Sequence, residues 1–225
     1  LLIGLGLGYR DFSFKWNKEV MKEVGKYSGI LGFENLGMLL QTRIDILVLG
    51  AFGFFTEISY YELSNKIFFI LAIPFLVFSQ IIAPDISKSF TEKNNKIIKE
   101  RLKIYIYISL IIGIIFSLLI YFLSHVLIPN YLLNYNNHTF YIYLGIFLLI
   151  FPIRAAGTIL VNSFVIMTNQ AKFLAYNNFI FGVINLILDL IFIDIYGAIG
   201  ILYSTLIISY VSGIIIYLWY IKKIK

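Results

Sequence analysis

Six long apolar segments, at roughly 27–53, 57–84, 103–124, 138–168, 173–194 and 198–221, alternate with short polar ones. Each reaches the length of about 20 residues that a helix needs to cross roughly 30 Å of hydrocarbon. The stretch from Ile104 to Phe122 shows no alternation of apolar and polar positions, which argues against the strands of a membrane barrel. Backbone groups in lipid are satisfied within a helix, so the pattern predicts six transmembrane helices in an all-α integral membrane protein.

The chain begins with a shorter apolar run, Leu1 to Gly8, without the basic start of a signal peptide. It is too short to span, and residues 1–9 are expected to be the end of a truncated helix. In the next segment, 10–26, Trp16, Val20 and Val24 recur at helical spacing. Lys15, Lys18, Lys22 and Lys26 fall near the opposite face. Two readings stand: a short cytoplasmic interfacial helix linking two halves of a transporter, or an extension anchoring the first span. Residues 27–225 then form one six-helix lobe.

Composition supports the membrane class. The chain is 60% hydrophobic and 13% charged, against about 45–50% and about 25% in soluble domains. There is no Cys, which excludes disulfides, thiolate metal sites and Cys nucleophiles. No Gly-rich phosphate loop, Gly-x-Ser-x-Gly or His-Glu-x-x-His occurs, so no enzyme and no cofactor is expected. Gly4-x-Gly6-x-Gly8 lacks a preceding strand and reads as a small-residue helix face.

The basic residues set an orientation. Arg10, Lys15, Lys18, Lys22 and Lys26 precede the first span. Lys88, Lys93, Lys96, Lys99, Arg101 and Lys103 lie between the second and third, Lys172 between the fourth and fifth, and Lys222, Lys223 and Lys225 end the chain. The intervening loops, 54–56, 125–137 and 195–197, contain no Lys or Arg. Six spans put every basic loop on one side, which predicts both ends in the cytoplasm. The net charge of +6 is thereby explained without a nucleic-acid partner.

Several charges fall inside the spans: Arg43, Lys66 and Arg154, with Glu34, Asp45, Glu62 and Asp189, and Asp194 near an edge. Each costs about 2.5–3.5 kcal/mol at a helix centre unless it finds a partner or water. Counting residues places Arg43, Asp45, Glu62 and Lys66 in the outer half of the membrane. Glu34, Gln41 and Asp45 share an arc of the first span, with Arg43 pointing away, and Glu62 and Lys66 share an arc of the second. Asp45 with Lys66 is the expected ion pair, serving either as a structural bridge or as part of a substrate or ion site. Arg154 lies mid-span after Pro152, with Thr158 and Asn162 following at helical spacing. Without an acid at matching depth, it points to an anion in a water-filled cavity. The competing readings are a partner outside the chain or snorkelling. Asp189 is read as a coupling-ion site or as polar packing with Asn185. His125 and His138 lack a third metal ligand and read as interfacial residues.

Several short pieces resemble a known family. Asp45-Ile-Leu-Val-Leu-Gly50, Tyr60-Tyr61 leading to Asn65-Lys66, and Ile82-Ala83-Pro84 before a basic loop are similar to the second half of the bacterial polysaccharide flippases. These are the O-antigen and capsule repeat-unit exporters of the multidrug/oligosaccharidyl-lipid/polysaccharide superfamily. Leu127-Ile128-Pro129, Asn169-Gln-Ala-Lys172, and Asn185 followed by Tyr196-Gly197-Ala-Ile-Gly200 continue the likeness, which extends from about residue 10 to 221. The resemblance implies two six-helix lobes around an alternating-access cavity in the bacterial cytoplasmic membrane. It implies a repeat-unit oligosaccharide on undecaprenyl pyrophosphate as substrate, and an N-terminal lobe that is missing here. Asp45 and Lys66 match family positions; Arg154 does not. The rivals are a cation-coupled drug or metabolite antiporter using Asp45, Glu34 and Asp189, a sugar polymerase or ligase, and an inactive fragment. A polymerase needs a large outer loop, and the longest here is about 13 residues.

Because the chain has no Cys, single cysteines report topology directly. Thr56→Cys and Asn134→Cys should react with an impermeant maleimide in intact cells, and Lys96→Cys only after lysis. Labelling of Lys96→Cys from outside would overturn the orientation.

Overall fold

The computed structural model describes residues 18–224, and within them every regular element is helical. Six long helices run in sequence: α1 Lys18–Ala51, α2 Phe55–Thr91, α3 Asn95–Tyr131, α4 His138–Ile159, α5 Ala171–Tyr196 and α6 Ile199–Lys223. A 3-10 turn, Leu133–Tyr135, lies between α3 and α4, and α4 runs on into a π-helical stretch, Leu160–Val165. The expected truncated helix of residues 1–9 and the first part of the 10–26 segment lie outside the described residues. From Lys18 to Lys26 that segment is the start of α1, with no break before the first span.

Helices α2 to α6 are each long and apolar enough to cross a membrane. Helix α1 is 34 residues long but more polar, since Glu34, Gln41, Arg43 and Asp45 interrupt its apolar run. Short turns join the helices, so neighbours alternate in direction. Gly197 makes the tightest of these turns, between α5 and α6, at a φ of 64°, which glycine adopts without steric cost.

Helix α4 is the centre of the bundle and packs on α2, α3 and α6. Just over half of its apolar window is buried, against 11% for α3. Lipid offers no hydrophobic drive between helices, so close packing must come from shape and hydrogen bonds. Helix α3 meets α4 along Ser109, Gly113 and Ser117, three buried small residues at four-residue spacing. The Ser117 hydroxyl donates to the Leu148 carbonyl at 2.8 Å. On its other side α4 stacks Phe147 and Phe151 edge-on against Phe68 of α2, with centroids 5.7 Å apart in both pairs. Helix α1 packs chiefly along α5 and only sparingly against α2, its neighbour in sequence. This arrangement brings α1, α2, α5 and α6 together near the α1–α2 turn.

A Cβ added at Gly113 would lie 2.8 Å from the Pro152 Cα, whereas one added at Gly145 meets nothing within 4 Å. Gly113→Ala should therefore destabilise the chain by about 1–3 kcal/mol through overpacking, while Gly145→Ala stabilises it or leaves it unchanged. Thermal unfolding of the two variants in detergent checks the pair. Equal midpoints would contradict the close α3–α4 approach.

Candidate functional site

Asp45, on α1, and Asp189, on α5, are both completely buried. Each sits about two helical turns in from the end of its helix, as do Tyr61 on α2 and Ser204 and Thr205 on α6. The turns 52–54 and 197–198 bring those ends together, so four helices contribute to one polar cluster at one depth. Asn185, one turn before Asp189 on α5, bridges the two acids. Its Nδ2 donates to Asp45 Oδ1 at 2.7 Å and to Asp189 Oδ2 at 3.3 Å. The other Asp45 oxygen accepts from the Tyr61 hydroxyl and, at 2.9 Å, from the Thr205 hydroxyl. The other Asp189 oxygen accepts from the Ser204 hydroxyl.

Counting hydrogens shows what the cluster lacks. Tyr61, Ser204 and Thr205 supply one proton each and the Asn185 amide two. The hydroxyls of Ser204 and Thr205 also lie 2.8 Å from the Ile201 carbonyl, so each single proton faces two acceptors. Asn185 Oδ1 is buried and accepts no hydrogen bond. No cation from the described residues pairs with either acid. The cluster is rich in oxygens and poor in protons, and it holds two carboxylates buried from solvent. A proton or a hard, oxygen-seeking cation would correct both deficits. No group of three or more metal-ligating His, Cys, Asp or Glu side chains occurs among the described residues. The oxygen-only set of carboxylate, amide and hydroxyl groups thus suits a proton or a hard cation.

The other expected site residues are placed differently. Lys66 does not pair with Asp45. It is exposed and has no ionic partner among the described residues, whereas Asp45 points into the bundle among neutral donors. The ion pair across α1 and α2 among the described residues is instead Arg43 with Glu62, at 3.1 Å, with Arg43 exposed and Glu62 half-buried. The physical reason lies on α1, where Arg43 and Asp45 are two residues apart and so face opposite ways. The side chain of Glu34 falls outside the described residues.

Arg154 is exposed, and its guanidinium makes no hydrogen bond or ion pair among the described residues. It lies on the most buried helix, roughly 140° around α4 from the exposed Leu149. Its accessibility thus belongs to a different face from the apolar one that Leu149 presents. Thr158 and Asn162 do not converge on it. The Thr158 hydroxyl donates to the Arg154 carbonyl at 2.9 Å, and the Asn162 amide donates to the Thr158 carbonyl at 3.0 Å. The π-helical stretch from Leu160 then moves Asn162 off the even helical register on which the expectation rested. His125 stacks on Tyr141 at 4.6 Å between centroids.

Hydropathy did not single out Tyr61, Ser204 and Thr205 as partners of the acids. Depth could have: all lie as far from their turns as Asp45 and Asp189 do. No family model, no curated protein and no solved structure matches the chain.

Removing the bridging amide leaves two buried carboxylates without their shared donor. Asn185→Ala should lower stability by about 1–3 kcal/mol, and adding Asp189→Asn should recover part of that loss. Thermal unfolding of the single and double variants measures the coupling. Strict additivity would show that Asn185 does not bridge the acids.

Proposed function

We propose that this chain is one six-helix lobe of an ion-coupled, alternating-access membrane transporter. Its cargo in this reading is a repeat-unit oligosaccharide carried on undecaprenyl pyrophosphate. The lobe flips it across the bacterial cytoplasmic membrane, with the C-terminus inside, for polysaccharide biosynthesis. The observation that carries the transporter reading is the buried Asp45–Asn185–Asp189 cluster. Buried ionic networks are often no more stabilising than apolar packing, and intramembrane carboxylates mark ion pathways. A cation bound there offsets the negative charge shared by the carboxylates on α1 and α5 and holds those helices to α6. Its departure leaves like charges facing each other, which favours a different arrangement of the same helices. Such a difference in affinity between two states is what couples an ion gradient to a conformational cycle.

Arg154 supports an anionic cargo. A guanidinium keeps its charge inside a membrane and matches phosphate oxygens with two parallel hydrogen bonds. Having no partner among the described residues, it is available to a ligand. A second six-helix lobe, in the same longer chain or in another, supplies the opposite wall of the cavity. The lobe itself carries out no covalent chemistry and needs no nucleic acid.

A second reading is a cation-coupled multidrug or metabolite antiporter of the same architecture. The acid cluster favours it equally; the free guanidinium separates the two. In the full-length transporter, Arg154→Ala should reduce surface polysaccharide by about tenfold or more, the loss of one charge-assisted hydrogen bond. Arg154→Lys should keep part of the export. Full export by both variants would remove the anionic-cargo reading and leave the antiporter in its place.

A further inference from the structure

A groove of about 310 Å3 opens between α3, α4 and α6, in the half of the bundle that carries the basic segments. Ile106 and Leu110 of α3, Leu160 at the start of the π-helical stretch and Ile214 of α6 form apolar walls. Its floor includes the glycines Gly157 and Gly213. A Cβ added at Gly157 meets nothing within 4 Å, so the groove there is open space and not a packed seam. The flanking Tyr107 and Ile214 are exposed, which puts the mouth of the groove on the outer surface of the bundle. Arg154 is not one of its lining residues.

Lys103 stands at one end of the groove. At 100° per residue, Lys96, Lys99, Lys103 and Tyr107 fall on a single stripe of α3 that runs into the groove. Lys96 and Lys103 are exposed and Lys99 is half-buried. None of the three has an ion pair among the described residues, although Glu100 lies on the flank of the stripe. Elsewhere in that segment Arg101 does pair, with Asp85 at 3.6 Å. The groove thus joins a trough for a hydrocarbon chain to a row of unpaired ammonium groups at headgroup level. Charge complementarity selects the occupant. Lysines at a membrane surface favour anionic lipids over zwitterionic ones, and their stems and the Tyr107 ring suit the apolar–polar boundary.

We infer that this groove binds an anionic glycerophospholipid of the surrounding leaflet, with its phosphate at Lys99 and Lys103 and one acyl chain over Gly157 and Gly213. The bound lipid fills the seam where α3 and α6 stand apart on α4. This site does not depend on which cargo the transporter carries.

The test uses the full chain in nanodiscs and two photoactivatable probes bearing a diazirine in the acyl chain, one a phosphatidylglycerol and one a phosphatidylcholine. The phosphatidylglycerol probe should label segments 103–110, 153–160 and 213–217. Gly157→Leu adds a side chain to open space and improves helix propensity, so it should remove most of the label while the protein stays folded. Replacing Lys99 and Lys103 by Gln should lower the preference for the anionic probe by about fivefold for each lysine. These surface changes keep the test informative even if Gly157→Leu does not fold. Equal labelling by the two probes, or unchanged labelling of Gly157→Leu, would overturn the inference. Displacement by a polyprenyl phosphate at lower concentration than by unlabelled phosphatidylglycerol would also overturn it, and would assign the groove to a carrier lipid.

Discussion

A carboxylate within a membrane has no water to hold its charge, and here two of them share one amide nitrogen, that of Asn185. Much of the arrangement of the bundle follows from meeting that demand. Four helices contribute, because no single helix could present enough donors to both acids. Tyr61 comes from α2, Asn185 and Asp189 from α5, and Ser204 and Thr205 from α6, all around Asp45 of α1. Even so, the protons run short: the hydroxyls are shared with the Ile201 carbonyl, and Asn185 Oδ1 has none. Partly satisfied buried polar groups are costly, and a proton or a cation would make up this shortfall.

The two sides of the bundle are built differently. On one side α3 and α4 meet through Ser109, Gly113 and Ser117, close enough that a methyl at Gly113 would strike Pro152. On the other, α1 and α2 touch sparingly and are tied by polar groups, Asp45 with Tyr61 and Arg43 with Glu62. Packing of small residues is insensitive to ions. Polar ties that include unneutralised carboxylates are not, since their strength depends on whether a positive charge is present. The contacts an ion would change are those made through Asp45 and Asp189, between α1 and α5 and with α2 and α6. Arg154 sits on α4, the helix common to both sides.

Hydropathy and the positions of lysines made the helices legible, because both follow from the thickness and charge of a membrane. Helix α1 was harder, since Glu34, Gln41, Arg43 and Asp45 lower the hydropathy of its apolar run. Within the site, the sequence pointed to Asp45 and Asp189 as costly to bury but assigned the wrong partner. Opposite charges at similar depth made Lys66 the natural choice for Asp45. A helical arc on each of two helices does not say which arcs face each other, however, and that is decided by α5 and α6, more than a hundred residues away. Thr158 and Asn162 were projected along an even helix from Arg154. The π-helical stretch at Leu160–Val165 and the hydrogen bonds of both side chains to the preceding turn altered that projection. Neither feature has a period that a sequence reveals.

The central claim is that the carboxylate pair is a cation site, and direct binding tests it best. Radiolabelled sodium should bind the purified full-length protein saturably, at one ion per chain, in competition with protons. Asp45→Asn and Asp189→Asn should each abolish that binding, and Arg154→Ala should leave it intact. Sodium binding that survives both aspartate substitutions, or the absence of any cation or proton exchange at these two residues, would contradict the account.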